Sequence, residues 1–113
     1  MRQQELVWIK IPFSDFSQTK IRPALVVSNN DYNSKCEDMV ICAVTSNLQR
    51  AVFSVSLEQK DLVSGSLPIE SRIKADKIMQ VDKKLAIRAF AKINEKKFDE
   101  TIAEIKKLLA RAK

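Results

Sequence analysis

The sequence predicts a mainly β domain of the α+β kind: five or six short strands closing a small barrel or strongly curved sheet, with one C-terminal helix packed on it. Three observations carry that expectation. Short apolar runs separated by polar turns fill the first half of the chain, a later segment alternates apolar and charged residues, and only the last stretch has apolar residues at helical spacing. The length of 113 residues fits a single domain, 1–113, that buries one modest core. A buried prosthetic group is not expected at this size, and no cofactor is assigned.

The elements follow in order. Residues 6–11 (Leu-Val-Trp-Ile-Lys-Ile) form a strand stopped by Pro12, and 13–21 make a polar loop rich in Ser, Asp, Gln and Thr. A second strand covers 22–28, where Pro23, lacking an N–H, belongs at a strand start or an edge. The cluster 29–34 (Asn-Asn-Asp-Tyr-Asn-Ser) reads as a turn whose Asn and Asp residues tolerate left-handed backbone. Residues 39–45 are almost wholly apolar, as suits a strand covered on both faces. In 51–57 Val52, Ser54 and Ser56 alternate with Phe53, Val55 and Leu57, the period of a half-exposed strand. A loop over 58–66 holds the only glycine, Gly65. A long strand at about 69–79 then puts Ile69, Ser71, Ile73 and Ala75 on one face and Glu70, Arg72, Lys74 and Asp76 on the other.

A last strand is expected over 85–93, and the helix starts after it with Asn94 as N-cap. Ile93 and Phe98 stand where a hydrophobic staple would place them, and Phe98, Ile102, Ile105, Leu109 and Ala112 follow helical spacing. Glu95, Asp99 and Glu100 come early and Lys106, Lys107 and Arg111 late, as the helix dipole favours.

Composition narrows the chemistry. Histidine is absent, which excludes His-based triads, His-metal sites and imidazole proton transfer, so no metal site is assigned and any catalysis falls to carboxylates, hydroxyls, lysine or arginine. Cys36 and Cys42 are too few for a disulfide framework. No run approaches the ~20 apolar residues of a membrane span, and residues 1–5 open polar and charged, so a cytoplasmic protein is expected. Twenty basic against 14 acidic residues give a net charge of +6. The bases gather between Arg72 and Lys97, where nine of 26 positions are Lys or Arg and only Asp76, Asp82 and Glu95 are acidic. That run reads either as a surface for a polyanion or as an ordinary solvated face.

Three local features bear on the choice. Arg22, held before Pro23, can bind a phosphate with two donors at once, or is a surface arginine. Thr45, Ser46 and Asn47 end an apolar strand with two hydroxyls and an amide, suited to a phosphate or simply to a polar turn. Lys74 and Asp76 lie one pleat apart, so the ammonium either holds the carboxylate ionised for use or forms a modest surface ion pair with it.

Taken in order, a strand, a polar loop, Arg-Pro-Ala-Leu-Val-Val-Ser, an Asn-rich turn, an apolar strand ending Thr-Ser, then Lys-Ala-Asp-Lys-Ile, Val-Asp-Lys and a terminal helix, the chain resembles the MazF/PemK-like toxins of type II toxin–antitoxin modules from about Leu6 to Leu109. Arg22-Pro23 and Thr45-Ser46 are the specific part of the likeness. The resemblance implies a small SH3-like barrel, a homodimer, and a metal-independent endoribonuclease that cuts single-stranded RNA and is silenced by a cognate antitoxin. It further implies Arg22, Thr45 and Asp76 as catalytic residues, with Ser46, Lys74, Lys20 and Arg72 meeting RNA. The chain departs from the family pattern at Lys74, where some members have arginine, and in residues 13–21, which lack the glycines often found there.

RNA carries its own nucleophile, the 2′-hydroxyl, so such an enzyme needs only to remove a proton and stabilise charge on phosphate; 2′,3′-cyclic phosphate and 5′-hydroxyl ends are expected. The alternative is a member of the same fold without this activity, either a nucleic-acid-binding module or a protein-targeting toxin like the gyrase poisons. Those depend on a C-terminal Trp-Gly-Ile, whereas this chain ends Leu-Leu-Ala-Arg-Ala-Lys.

Overall fold

Sequence order and sheet order diverge, so strands distant in the chain become neighbours. A computed structural model describes residues 1–12 and 19–112. The strands are β1 (Glu5–Pro12), β2 (Thr19–Val26), β3 (Asp38–Thr45), β4 (Ser54–Leu57), β5 (Leu62–Gly65), β6 (Ser71–Asp82) and β7 (Ala86–Ile93). They form one curled antiparallel sheet in the order β4-β6-β3-β2-β1-β7-β5. Two helices complete it, α1 (Asn30–Lys35) and α2 (Glu95–Leu109). The expected mainly β architecture with a terminal helix is therefore present, with seven strands rather than five or six.

Two expectations are corrected. Residues 58–66 are not a plain loop: Glu58 and Asp61 cap a 3₁₀ turn reciprocally, and β5 follows, pairing with β7 across an irregularity in register. The 29–34 cluster is a helical turn rather than an open turn, because the Asn29 side chain accepts from the Tyr32 N–H (2.8 Å) and so caps α1. Asn33 is buried there, its Nδ2 donating to the Ser28 carbonyl (2.9 Å) and its carbonyl accepting from Lys83 Nζ (2.6 Å). Residues 13–18 of the expected polar loop lie outside the described residues.

The central strands are buried on both faces, which explains their nearly unbroken apolar runs. Leu6, Leu25, Cys42, Val44, Ile73 and Ile93 form one core with Phe98 of α2, while Val7, Ile9, Ala24, Val26, Met39 and Ile41 form a second on the opposite face. The helix starts where its cap predicts, with Asn94 Oδ1 accepting from the Lys97 N–H at 2.8 Å. Ile93 and Phe98 share the first core, as the staple requires. Lys97 is 8% exposed and ion-paired to Glu100 (3.0 Å) and Asp61 (3.9 Å), so it leaves the basic surface and ties α2 to the 3₁₀ turn. No helix among the described residues is long and apolar enough to cross a membrane.

Candidate nucleic-acid interface

The site begins with an incomplete ladder. β2 pairs with β1 along its whole length, from Pro12↔Thr19 to Leu6↔Leu25, but with β3 at only three positions, Ala24↔Ala43, Leu25↔Cys42 and Val26↔Ile41. Pro23 is the first residue beyond that ladder, so its missing N–H falls where the strand is locally an edge, as expected of it. Past this point β2 and β3 diverge, and residues 21–23 on one side and 43–47 on the other border a groove of about 1100 Å³.

Strand alternation decides what faces it. Arg22 stands opposite Ile9, whose side chain belongs to the second core. Ala43 stands opposite Lys74, and Thr45 opposite Arg72, two and four residues respectively from Ile41 of the same core. Cross-strand partners share a face, so Arg22, Thr45, Arg72 and Lys74 all belong to one face of the sheet, and all line the groove. Ser46 lines it as well. The face that is apolar core at one end of the strands is polar and cationic at the other.

Each polar group is held locally. Thr45 Oγ1 accepts from the Asn47 N–H at 3.1 Å, which leaves its own proton to donate outward. Asn47 Oδ1 in turn accepts from the Gln49 N–H at 3.0 Å. Arg72 is half-buried, with Nε donating to Ser54 Oγ (3.0 Å) and Nη2 to the Ser54 carbonyl (3.2 Å), so its guanidinium is fixed by β4. Arg22 is exposed. The groove contains five cations, Arg22, Arg50, Arg72, Lys74 and Lys77, and no Asp or Glu among the described residues that line it. Their mutual repulsion favours a polyanion.

Other expectations are redistributed. Lys74 and Asp76 form no ion pair, because β6 is irregular between them: Ala43 pairs with Lys74 and Cys42 with Ile78, leaving 75–77 without β3 partners. The Ala75 N–H is satisfied instead by the Phe53 carbonyl at 2.9 Å. Asp76 is exposed in this bulge and is not among the described groove residues, although the adjacent Lys77 is. Its charge acts on buried Cys42, whose thiol is pushed up to about 12 chiefly by desolvation and secondarily by Asp76. Lys20, opposite Ile11 on β2, also lies outside the described lining. Of the basic run 72–97 only Arg72, Lys74 and Lys77 reach the groove. Sequence reasoning missed Arg50 and Trp8 as groove residues; the Trp8↔Pro23 pairing would have signalled the latter once the β1–β2 register was drawn. Among the described residues no three of Cys, Asp or Glu gather as metal ligands.

Comparison with known proteins finds this fold in other solved structures. The fold is similar to a MazE–MazF structure (Form-III) from Deinococcus radiodurans, with 24% identity and a TM-score of 0.82 over 99% of this chain and 98% of that one. A second MazE–MazF structure (Form-II) from that organism is 27% identical, with a TM-score of 0.74 over 99% and 97% of the two chains. An endoribonuclease in complex with its cognate antitoxin from Mycobacterial species matches at 16% identity and a TM-score of 0.77, over 99% of each chain. Among curated proteins no relative matches. The pattern described as PemK-like, MazF-like toxin of type II toxin-antitoxin system matches residues 2–109, and on that extent of agreement the chain belongs to this toxin family.

Proposed function

We propose that this toxin is a metal-independent endoribonuclease that cuts single-stranded RNA in the cytoplasm and is inhibited by a cognate antitoxin. The observation that carries the reading is that the described residues lining the groove include five cations and no carboxylate, with Arg22, Arg72 and Lys74 on the same face as the Thr45 hydroxyl. The 2′-hydroxyl attacks the adjacent phosphorus as its proton passes to the general base, the bond from phosphorus to the 5′-oxygen breaks, and that oxygen takes a proton from solvent, giving a 2′,3′-cyclic phosphate and a 5′-hydroxyl. Arg22 stabilises charge growing on the phosphate oxygens, Thr45 and Ser46 donate to them, and Arg72 and Lys74 hold the flanking phosphates. Lys20 extends that cationic track along β2. Asp76 is the carboxylate assigned to the proton, next in the chain to Lys77. The reading calls on no histidine, which the chain lacks.

Incubation of the purified protein with mixed-sequence RNA in excess chelator tests this reading. Cleavage leaving cyclic phosphate and 5′-hydroxyl ends is expected; complete dependence on a divalent ion, 3′-hydroxyl products, or no cleavage would overturn it.

In the same reading the chain acts as a homodimer, because one domain offers a shallow groove and a second subunit deepens it. The antitoxin is a short acidic segment that sets carboxylates against Arg22, Arg50 and Lys74 and excludes RNA. Two of the similar structures are named as MazE–MazF and one as an endoribonuclease with its antitoxin, which supports such a partner. A strict monomer in sedimentation at micromolar concentration, or an antitoxin that binds without inhibiting, would refute the shared groove.

A further inference from the structure

Among its described residues the groove holds one aromatic that phosphate chemistry leaves unused. Trp8 is the only tryptophan of the chain, is half-buried, and lines the groove beside its cross-strand partner Pro23. Its ring is stacked on Phe90, with centroids 4.5 Å apart and planes inclined by 24°. Phe90 comes there through a bulge: Leu6 pairs with Ala91 and Val7 with Ala89, which leaves Phe90 as the extra residue of β7. Bulges of this type re-aim side chains and recur beside binding sites.

Alternation places Trp8 and Pro23 on the face opposite Arg22 and Thr45, since Leu6 and Leu25 of the first core share their phase. They meet the groove through the opening where β2 and β3 diverge, bordered on the β3 side by Val44, which also lines it. The cationic face thus surrounds an apolar slot with an indole at its wall. One face of that indole is taken by Phe90, and the half-buried side chain also lines the groove.

Resting on the reading of this groove as an RNA site, we propose that Trp8 is a base-stacking platform: a nucleobase enters the slot between β2 and β3 and stacks on Trp8, while its phosphate stays with Arg22 and Thr45 on the cationic face. Every base has a π-face, so the platform fixes the position of a nucleotide without demanding one base, and Phe90 keeps the indole in place before RNA arrives. In the proposed reaction Trp8 is a positioning residue that settles which phosphate lies against Arg22.

The single tryptophan makes the test direct. The probe is a short single-stranded oligodeoxynucleotide, which lacks the 2′-hydroxyl and is not cut, titrated while Trp8 emission is followed. Quenching is expected on binding, and it should vanish when one particular nucleotide of the probe is made abasic. Trp8→Leu should weaken binding by about 5- to 150-fold, the range for loss of one stacked base. Trp8→Phe, which keeps a ring, should recover most of that loss. Neither substitution should change the salt slope, whereas Arg22→Ala should lower it by about one. The platform is overturned if the parent binds the probe with unaltered emission, or if every abasic version binds and quenches like the intact probe. Failure of the parent to bind any single strand would overturn the platform and the RNA reading together. Binding with quenching but without cleavage of RNA would remove the ribonuclease reading and leave the platform standing.

Discussion

The two ends of β2 are made from one continuous hairpin strand and serve opposite purposes. Ala24 and Leu25 have strands on both sides and, like Val26, are fully buried, whereas Ile21 and Arg22, just before them, pair among the described strands with β1 alone and are exposed. The cations show the same division. Near α2, Lys97 is buried and paired with two carboxylates, and the pairs Lys35–Asp31, Lys60–Glu58 and Lys107–Glu104 among the described residues also lie away from the groove. In the groove five cations stand without an acidic partner among the described lining residues. Stability is gathered where strands and helix pack, and electrostatic repulsion is left where a polyanionic ligand would relieve it. The substitutions that test this division differ in what they disturb: those in the groove should alter activity without the fold, and those near α2 the reverse.

The largest effect is expected at Arg22. Removing a donor that stabilises developing charge typically lowers the rate by about 10²- to 10³-fold, so Arg22→Ala should nearly abolish RNA cleavage while its thermal unfolding midpoint stays with the parent. Thr45→Ala should lose less but clearly, and Asp76→Asn, which removes the carboxylate assigned to the proton, should slow cleavage without altering RNA binding. Cleavage by Arg22→Ala at the parental rate would dissolve the functional half of the comparison.

Asp61→Ala probes the packed end. The Asp61 carboxylate accepts from the Glu58 N–H at 2.8 Å and faces Lys97 in a nearly closed setting. Its removal deletes this charge-assisted cap of the 3₁₀ turn and one of the two carboxylates around Lys97, Glu100 remaining at 3.0 Å, and a loss of about 2–3 kcal/mol in denaturant unfolding is expected. Initial cleavage rates below the transition should stay parental; a proportional fall in both would show that the two ends are not separable.

How far the chain could be read in advance divides along a similar line. Asn94, Ile93, Phe98 and the charges of α2 announce the helix because capping and 3.6-residue periodicity are local. Arg22-Pro23 and Thr45-Ser46 marked the toxin family, whose pattern matches 2–109. What escaped was tertiary. β5 is four residues long and gains its partner from β7, and α1 is a polar hexapeptide held by Asn29 and buried Asn33, so neither has an apolar period to reveal it. The run from Arg72 to Lys97 suggested one basic patch, yet Lys97 turns into an ion pair and Lys83 to the Asn33 carbonyl. Arg50, far from that run in sequence, joins the groove with Ser46, Asn47, Gln49 and Ala51 of the connection between β3 and β4.

Gly65→Ala should sharpen the comparison by reaching both ends at once. Gly65 has φ +80°, and a Cβ there would meet the Phe90 carbonyl oxygen and lie 2.6 Å from the Ala91 Cα. Backbone must shift, and strain with overpacking should cost about 2 kcal/mol. Because Phe90 supports Trp8, this substitution should also shift Trp8 emission in the free protein, which Asp61→Ala should leave unchanged. Identical emission spectra for Gly65→Ala and the parent would separate the β5 edge from the groove.

The smallest effect concerns pH. Cys42 is fully buried between β2 and β6 partners, and desolvation, aided by the Asp76 charge, raises its thiol from 9.0 to about 12. The folded state therefore holds this proton more tightly than the unfolded chain does. Its contribution to stability is complete below about 9 and is lost progressively as pH rises toward 12. One pH unit above the unfolded value the loss amounts to about 1 kcal/mol. Denaturant unfolding of the parent and of Cys42→Ala, both carrying Cys36→Ser so that only one thiol titrates, isolates the effect, since lysine titration is common to both. The parent should start more stable near neutrality and approach the variant as pH rises from 9 to 11; parallel curves over that range would show that burial of Cys42 does not govern the alkaline limit of the packed end.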